Sequence, residues 1–397
     1  MKSRFADRMV NVRPSAIRQL LQLGNDPTII SFGGGYPDAS LFPLEQLNHV
    51  YQSAIVADGR DSLQYTVSNG ILRLREQVAQ RMKTDGVECS PDNVLILQGG
   101  QQGLDLVAKL FINKGDTIVT ESPTFIGALI AFNPYEPRYV SVPMNEDGMD
   151  IEVLEQALKR NPGIKLLYTV PDFQNPTGVT LSLARRKRLV ELASEYDFYI
   201  LEDSPYREIR FEGAAIPSMK SMDAEGRVIH LGSFSKILAP GLRLGWAIAS
   251  EEVTHQLGLL KLAADTQSST LNMYAVSRYL ETYDIEAHIV AIRDSYRRKK
   301  NMMLAAIRRT FPKSVTYTDP AGGMFTWLTF PLGFDAGRFM ADEMLPKAKV
   351  AYVPGVSFFP VNEEANHARV SYSTQSDDRI VSGITALGRL LSERLGA

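Results

Sequence analysis

The stretch Ser233-Phe-Ser-Lys236, followed by Pro240-Gly241 and Arg243, sets an amine, two hydroxyls and a guanidinium within one short piece of chain. It ends an apolar run, Val228-Ile-His-Leu231, that stops at Gly232. β-Formers running into small polar residues read as a strand emptying into a loop, and parallel sheets place ligands at such loops. Lys236 therefore stands at a crevice. Ser233, Ser235 and Arg243 suit a phosphate and the lysine amine suits a carbonyl, so an aldehyde bearing a phosphate fits this stretch.

Other polar groups follow other strands. Asp203 lies just past the apolar run Phe198 to Leu201, where a carboxylate needs either solvent or a partner. Tyr206 comes soon after it, and Asn175 sits in the turn Pro171-Asp-Phe-Gln-Asn175-Pro-Thr-Gly178. Taken singly, these residues read equally well as a helix cap, a turn and a solvated face. Together with Lys236 they supply what pyridoxal phosphate needs: an imine-forming amine, a carboxylate for a protonated ring nitrogen, donors for the ring phenolate and a phosphate cup. Gly99-Gly-Gln-Gln-Gly103, between a strand and a helix, presents unpaired amides that favour phosphate. It matches neither the dinucleotide fingerprint nor a nucleotide P-loop. Gly33, Gly34 and Gly35 let the backbone approach a ligand closely, and they fit a plain loop as well.

The elements that must position these groups alternate between strand and helix. Strands are expected at Val94 to Leu97, Thr117 to Thr120, Lys165 to Val170, Phe198 to Leu201, Val228 to Leu231 and Leu244 to Ala249. Helical patterns lie at 14–23, 44–58, 72–83, 104–111 and 185–196. Such alternation argues for an α/β fold, a mostly parallel sheet covered on both faces, with its polar strand ends gathered along one edge. From about residue 285 the pattern changes to a long basic helix, Ile285 to Thr310, then short strands at Gly323 to Thr329 and Ala368 to Ser373, then a helix over Asp377 to Leu395. This reads as a separate, smaller α+β domain. The division expected is an arm and helix over 1–43 packing with the small domain, a large domain over 44–284 and a small domain over 285–397.

Composition excludes several classes of function. A hydrophobic share of 44% in 397 residues supports a sizeable core. A net charge of -2 with both signs mixed along the chain argues against nucleic acid or an anionic membrane as partner. The sequence shows neither a secretion signal nor a long apolar run, so a soluble, untargeted protein is expected. One cysteine, Cys89, agrees with a reducing cytoplasm. His49, His230, His255, His288 and His367 are scattered, so no metal site is expected.

The segments Asn175-Pro-Thr-Gly178, Asp203-Ser-Pro-Tyr206, Ser233-Phe-Ser-Lys236 and Pro240-Gly-Leu-Arg-Leu-Gly-Trp246 resemble those of the class I/II aminotransferases of PLP fold type I. Ile30-Ser-Phe-Gly-Gly-Gly-Tyr-Pro-Asp38, Leu63-Gln-Tyr65, Gly99-Gly-Gln-Gln-Gly103 and Asn366-His-Ala-Arg369-Val-Ser-Tyr are similar to the subgroup of 2-aminoadipate and broad-specificity aromatic aminotransferases. The likeness runs nearly end to end, in the family's order. It implies that Lys236 carries the coenzyme and, once displaced by substrate, shuttles a proton between the substrate α-carbon and the coenzyme's C4′. Asp203 would keep the ring nitrogen protonated, and Asn175 and Tyr206 would hold the phenolate oxygen. Phe125 would stack on the ring. Gly100, Gln101, Ser233, Ser235, Arg243 and a Tyr65 from a neighbouring subunit would bind phosphate, which implies a homodimer with shared active sites. Arg369 would take the substrate α-carboxylate, with Asn175, Gly34, Gly35 and Tyr36 beside the substrate and Arg18 reading a distal carboxylate. Where Gly100 stands the family usually has Ser or Thr, where Phe125 stands commonly Tyr, and where Tyr36 stands frequently Leu.

The expected activity is transfer of an amino group from an aromatic, aliphatic or 2-aminoadipate-like L-amino acid to a 2-oxo acid, 2-oxoglutarate first among them, in a ping-pong reaction through the pyridoxamine form. A decarboxylase, lyase or synthase of the same fold is the alternative. A transcription regulator with an aminotransferase-like domain would need a DNA-binding module ahead of residue 14, and a dinucleotide dehydrogenase would leave Lys236 without a task.

Overall fold

A computed structural model describes residues 4–12 and 26–396. The helix expected over 14–23, with Arg18 in it, lies outside the described residues. After β1 (Ile30–Ser31) the chain lays down β2 (Val94–Leu97), β3 (Thr117–Ser122), β4 (Arg138–Asn145), β5 (Gly148–Met149), β6 (Leu166–Thr169), β7 (Tyr199–Asp203), β8 (Val228–Ser233) and β9 (Gly245–Ile248). These last eight form one sheet in the order β2-β9-β8-β7-β6-β3-β4-β5. From β8 through β7, β6 and β3 to β4 every neighbour is parallel. Residues of β2, β6 and β8 are buried throughout, as strands sandwiched between helices must be. Burying each Leu, Ile or Val there is worth about 1.5–3 kcal/mol.

One expected strand runs the other way. β9 is antiparallel to both β8 and β2, because residues 234–244 between β8 and β9 hold no crossover helix and a parallel return needs one. Its reversal brings Gly245 beside the ends of both neighbours, opposite Leu97 and Ser233. β4 was not expected from the sequence. It carries Arg138 and Pro143 and is only partly buried, so it shows no clean apolar run. The helix after β2 begins at Gly100, earlier than the glycines suggested. Gly99, at φ 76°, turns the chain into it, a conformation open mainly to glycine.

The carboxyl ends of β2, β3, β6, β7 and β8 all meet one edge, with chain order reversing at β3, which lies between β4 and β6. Ligands bind at such reversals. Above that edge stands a second sheet, made of β10 (Thr316–Tyr317), β11 (Phe325–Thr329), β13 (Val353–Pro354) and β14 (His367–Ser371), while β12 (Val350–Ala351) pairs with β1. It is flanked by the helices Ile285–Thr310 and Asp377–Leu395. Asp284 caps the first of these by accepting from the amides of Glu286 and Ala287. No helix among the described residues is long and apolar enough to cross a membrane.

Candidate active site

The edge of the large sheet opens on a cavity of about 370 Å³. Its lining includes Gly35, Tyr36, Gly100, Gln101, Phe125, Asn175, Asp203, Tyr206, Ser233, Ser235, Lys236, Arg243 and Arg369, with Leu104, Ile126, Val170, Pro205 and Pro240 between them. Residues far apart in sequence thus share one space, as the strand-end argument required. Three expected site residues are not in that lining. Gly34 lies behind Tyr36, whose ring a Cβ at position 34 would meet at 2.9 Å. Tyr65 is 79% exposed on the surface of the chain, and Arg18 lies outside the described residues.

Lys236 reaches the cavity because the turn after β8 is pinned on either side of it by fully buried Phe234 and Ile237. The Ser235 amide donates to Ser233 Oγ at 3.1 Å, closing a local turn. Lys236 Nζ donates to the Gly35 carbonyl at 2.8 Å. Burial, with repulsion from Arg369 and Arg243, brings its ammonium down to about 8. An amine so placed is neutral often enough near neutral pH to act as a nucleophile.

Asp203 ends β7 and is 6% exposed. Its Oδ2 accepts from the Tyr168 hydroxyl of β6 at 2.9 Å. Burial pushes its carboxyl up to about 6, against the hydrogen bond from Tyr168 and the attraction of His230. A carboxylate this buried is costly without a cation.

Asn175 links two further groups. Its Nδ2 donates to the Tyr206 hydroxyl at 3.3 Å, and its Oδ1 accepts from Arg369 Nη1 at 2.8 Å. Burial pushes the Tyr206 phenol up to about 12. Arg369 is 3% exposed and lies over the rings of Phe325 and Phe358, 4.3 and 5.2 Å from their centroids. Its Nη2 donates to the Gly33 carbonyl at 2.7 Å, while its Nε is buried without a partner. Desolvation brings its guanidinium down to about 10.

The remaining corner is cationic and rich in amides. Arg243, at φ 51°, turns its guanidinium toward the β2 end, where Nη2 donates to the Gln98 carbonyl at 3.0 Å. A Cβ on Gly99 would stand 2.7 Å from that Nη2, whereas one on Gly100 would meet nothing within 4 Å. An open space between the first amides of the helix Gly100–Phe111 and the side chains of Ser233, Ser235 and Arg243 suits a phosphate dianion. Gln101 instead donates its Nε2 to the Gly127 carbonyl at 2.8 Å. Gly127 lets the Phe125 ring lie close, since a Cβ there would come within 2.4 Å of it.

These features fit pyridoxal phosphate group by group. A protonated pyridine nitrogen would give the buried Asp203 a cation, the cationic corner is open enough for a phosphate, and Lys236 offers an amine to an aldehyde. Sequence reasoning missed Tyr168, which carries no signal inside an apolar strand, and Ile126, Val170 and Pro205, which read as ordinary packing residues.

Fold and site define a pyridoxal-phosphate enzyme of fold type I. The family described as aminotransferase class I and II matches residues 30–387, and the chain belongs to that family. It is 38% identical to aromatic-amino-acid aminotransferase 1 of Thermococcus litoralis, over 98% of this chain and 94% of the relative. It is 39% identical to the 2-aminoadipate transaminase of Thermus thermophilus, over 96% of this chain and 94% of the relative. The crystal structure of Pyrococcus horikoshii kynurenine aminotransferase superposes with a TM-score of 0.95 at 39% identity, covering 99% of this chain and 98% of that one. The protein is an aminotransferase that uses pyridoxal phosphate.

Proposed function

We propose that this aminotransferase moves the amino group of an L-amino acid with an apolar or aromatic side chain to a 2-oxo acid, 2-oxoglutarate first among the acceptors, in two half-reactions joined by the pyridoxamine form. The observation that carries it is one cavity lined by Lys236, Asp203 and Arg369. Bound pyridoxal phosphate supplies a carbonyl for the substrate amine and a ring that stores the electrons freed when the α C–H bond breaks. In this reading Asp203 holds the proton on the ring nitrogen, and Asn175 and Tyr206 hold the ring oxygen. Ser233, Ser235, Arg243 and the amides of Gly100 and Gln101 hold the phosphate, and Phe125 covers the ring. Arg369 takes the substrate α-carboxylate with the N–H groups it has left, its unpartnered Nε among them. Lys236 Nζ takes the proton from the substrate Cα, a task suited to an amine near pKa 8.

The charged residues in the described lining are Asp203, Lys236, Arg243 and Arg369, and each has a task. No cation is left among them for a second carboxylate, which favours a neutral donor side chain packed against Tyr36 and Ile126. A dicarboxylic partner such as 2-oxoglutarate then needs a cation from elsewhere, and Arg18 remains the candidate. Gly34 and Gly35 would close over the substrate. Single-turnover conversion of the coenzyme, read by absorbance over a panel of amino acids, tests the preference. Phenylalanine and leucine should react faster than lysine or aspartate, and the reverse order would refute it.

A second copy of the chain would supply Tyr65 to the phosphate, supported by the exposed apolar residues near it in sequence, Val56, Leu63, Val67 and Leu72. Residues 44–284 would form the large domain and 285–397 the small one, since the strands of the large sheet fall within 94–248 and those of the upper sheet within 316–371. The 1–43 arm would pack with the small domain, supported by the β1–β12 pairing and by Arg379 donating to the carbonyls of Pro27 and Ile29. A cytoplasmic location accords with the single cysteine.

A further inference from the structure

Glu121 is 1% exposed near the carboxyl end of β3. Its Oε1 accepts from the Thr169 hydroxyl at 2.5 Å, and its Oε2 from the Val170 amide at 3.3 Å and Gln174 Nε2 at 3.0 Å. Burial, with repulsion from the Asp203 carboxylate, pushes its carboxyl up to about 7, against its hydrogen bonds from Thr169, Gln174 and Val170. The Tyr168 phenol lies close enough to feel its charge. An acid placed so, outside the cavity lining and joined to it through the Val170 amide, needs a reason to be an acid.

Gln174 supplies one. Its Nε2 donates to Glu121 and, at 2.8 Å, to the Pro123 carbonyl. Its Oε1 accepts from the amide and the hydroxyl of Thr177, at 2.9 and 2.7 Å. The Thr177 carbonyl accepts from Thr318 Oγ1 at 2.7 Å, and that oxygen accepts from the Trp327 amide at 3.0 Å. Trp327 stands opposite Arg369 in the β11–β14 ladder. Arg369 in turn donates to Asn175, the residue after Gln174. Two routes therefore connect Gln174 with Arg369, one through the Asn175 side chain and one through Thr177, Thr318 and the ladder.

We propose that Glu121 is a positioning residue, whose acceptor Oε2 fixes the amide of Gln174 and thereby holds Asn175 and Arg369 as one unit across the two sheets. Turning the Gln174 amide over would set its oxygen against the carboxylate and its NH₂ against the Thr177 N–H, so one orientation survives. The inference rests on the reading that Asn175 faces the coenzyme's ring oxygen and Arg369 the substrate α-carboxylate. Glu121→Ala removes the acceptor. Glu121→Gln keeps an oxygen for Val170 and Gln174, while its NH₂ meets the Thr169 hydroxyl, which can rotate to accept.

The test uses coenzyme-loaded Glu121→Ala, Glu121→Gln, Gln174→Ala and Arg369→Lys. The readouts are the pH midpoint of the coenzyme's absorbance change and the Kd of 3-phenylpropionate, a carboxylate that cannot react. Glu121→Ala and Gln174→Ala should move the midpoint by about half a unit or more and raise the Kd about fivefold or more, as the loss of one buried hydrogen bond predicts. Glu121→Gln should bring both back to within about twofold of the parent. If Glu121→Ala does not fold, Gln174→Ala gives the same two readouts. Unchanged readouts in the alanine variants, with a raised Kd in Arg369→Lys, would overturn the positioning role and leave the site reading standing. An unchanged Kd in Arg369→Lys would overturn both, and a Glu121→Gln variant as impaired as Glu121→Ala would overturn the hydrogen-bond role.

Discussion

Replacing Arg369 with lysine keeps the charge and removes the fork. A guanidinium offers five N–H groups. Here one goes to Asn175 Oδ1, one to the Gly33 carbonyl, and the buried Nε–H has no protein partner. A substrate carboxylate can take that Nε–H together with one on a terminal nitrogen. Lysine has a single nitrogen, so it cannot hold Asn175, Gly33 and both carboxylate oxygens at once. It also loses the stacking over Phe325 and Phe358. One charge-assisted bond lost, at about 1.5–3 kcal/mol, plus one buried acceptor left unpaired, at about 1–3 kcal/mol, gives about 3–4 kcal/mol once partial relaxation is allowed. That corresponds to a fall in kcat/KM of roughly 10² to 10³-fold. Steady-state assays with phenylalanine and 2-oxoglutarate measure it, and KM should carry much of the loss, since the α-carboxylate is held in the ground state too. A loss below about tenfold, or a normal KM with a disturbed coenzyme spectrum, would refute the placement of the α-carboxylate at Arg369.

Other consequences follow from the same geometry. The Asp203 carboxyl, raised from an ordinary 3.8 to about 6, binds its proton more tightly in the folded chain than in the unfolded one. Stability of the coenzyme-free protein therefore falls as pH rises between those two values, by up to about 3 kcal/mol. Coenzyme-free Asp203→Asn should melt above the parent at pH 7, with the gap closing toward pH 4, and its loaded form should be nearly inactive; melting curves over that range check the first and a turnover assay the second. Uptake of pyridoxal phosphate by the coenzyme-free protein requires the neutral amine of Lys236, so its rate in stopped-flow absorbance should climb with pH to a plateau, with a midpoint near 8. Gly99→Ala would force a Cβ to 2.7 Å from Arg243 Nη2 at a φ of 76°; equilibrium titration should show pyridoxal phosphate binding weakened about tenfold or more, with pyridoxal itself less affected.

Much of this architecture was legible in the sequence where local signals and tertiary packing agree. Leu72–Lys83, Val94–Leu97, Ile285–Thr310 and Asp377–Leu395 have the bounds that their periodicity predicted. Lys236, Asp203, Asn175 and Tyr206 share the cavity because each lies at or just past the carboxyl end of a parallel strand, a rule that needs no knowledge of side-chain contacts. What escaped depended on partners distant in sequence. β4 is partly exposed and contains a proline, so neither alternation nor a continuous apolar run marks it. The direction of β9 is set by the missing crossover rather than by its residues. Burial statistics for arginine favour the surface, yet Arg369 is buried by Phe325, Phe358 and the Gly33 strap, none of which its own segment announces. Glu121 stands in a strand that also holds Thr117, Thr120 and Ser122, so its segment does not mark it as a buried acid.

The amine that holds the coenzyme can be identified directly. Borohydride treatment of the loaded protein fixes the coenzyme to whichever amine it has joined, and peptide mass mapping then locates the adduct. The adduct should fall on Lys236 alone and disappear in Lys236→Ala, with that variant retaining coenzyme only by non-covalent contacts. A reduced adduct on another lysine, or a Lys236→Ala protein that still turns over at the parent rate, would contradict the account at its centre.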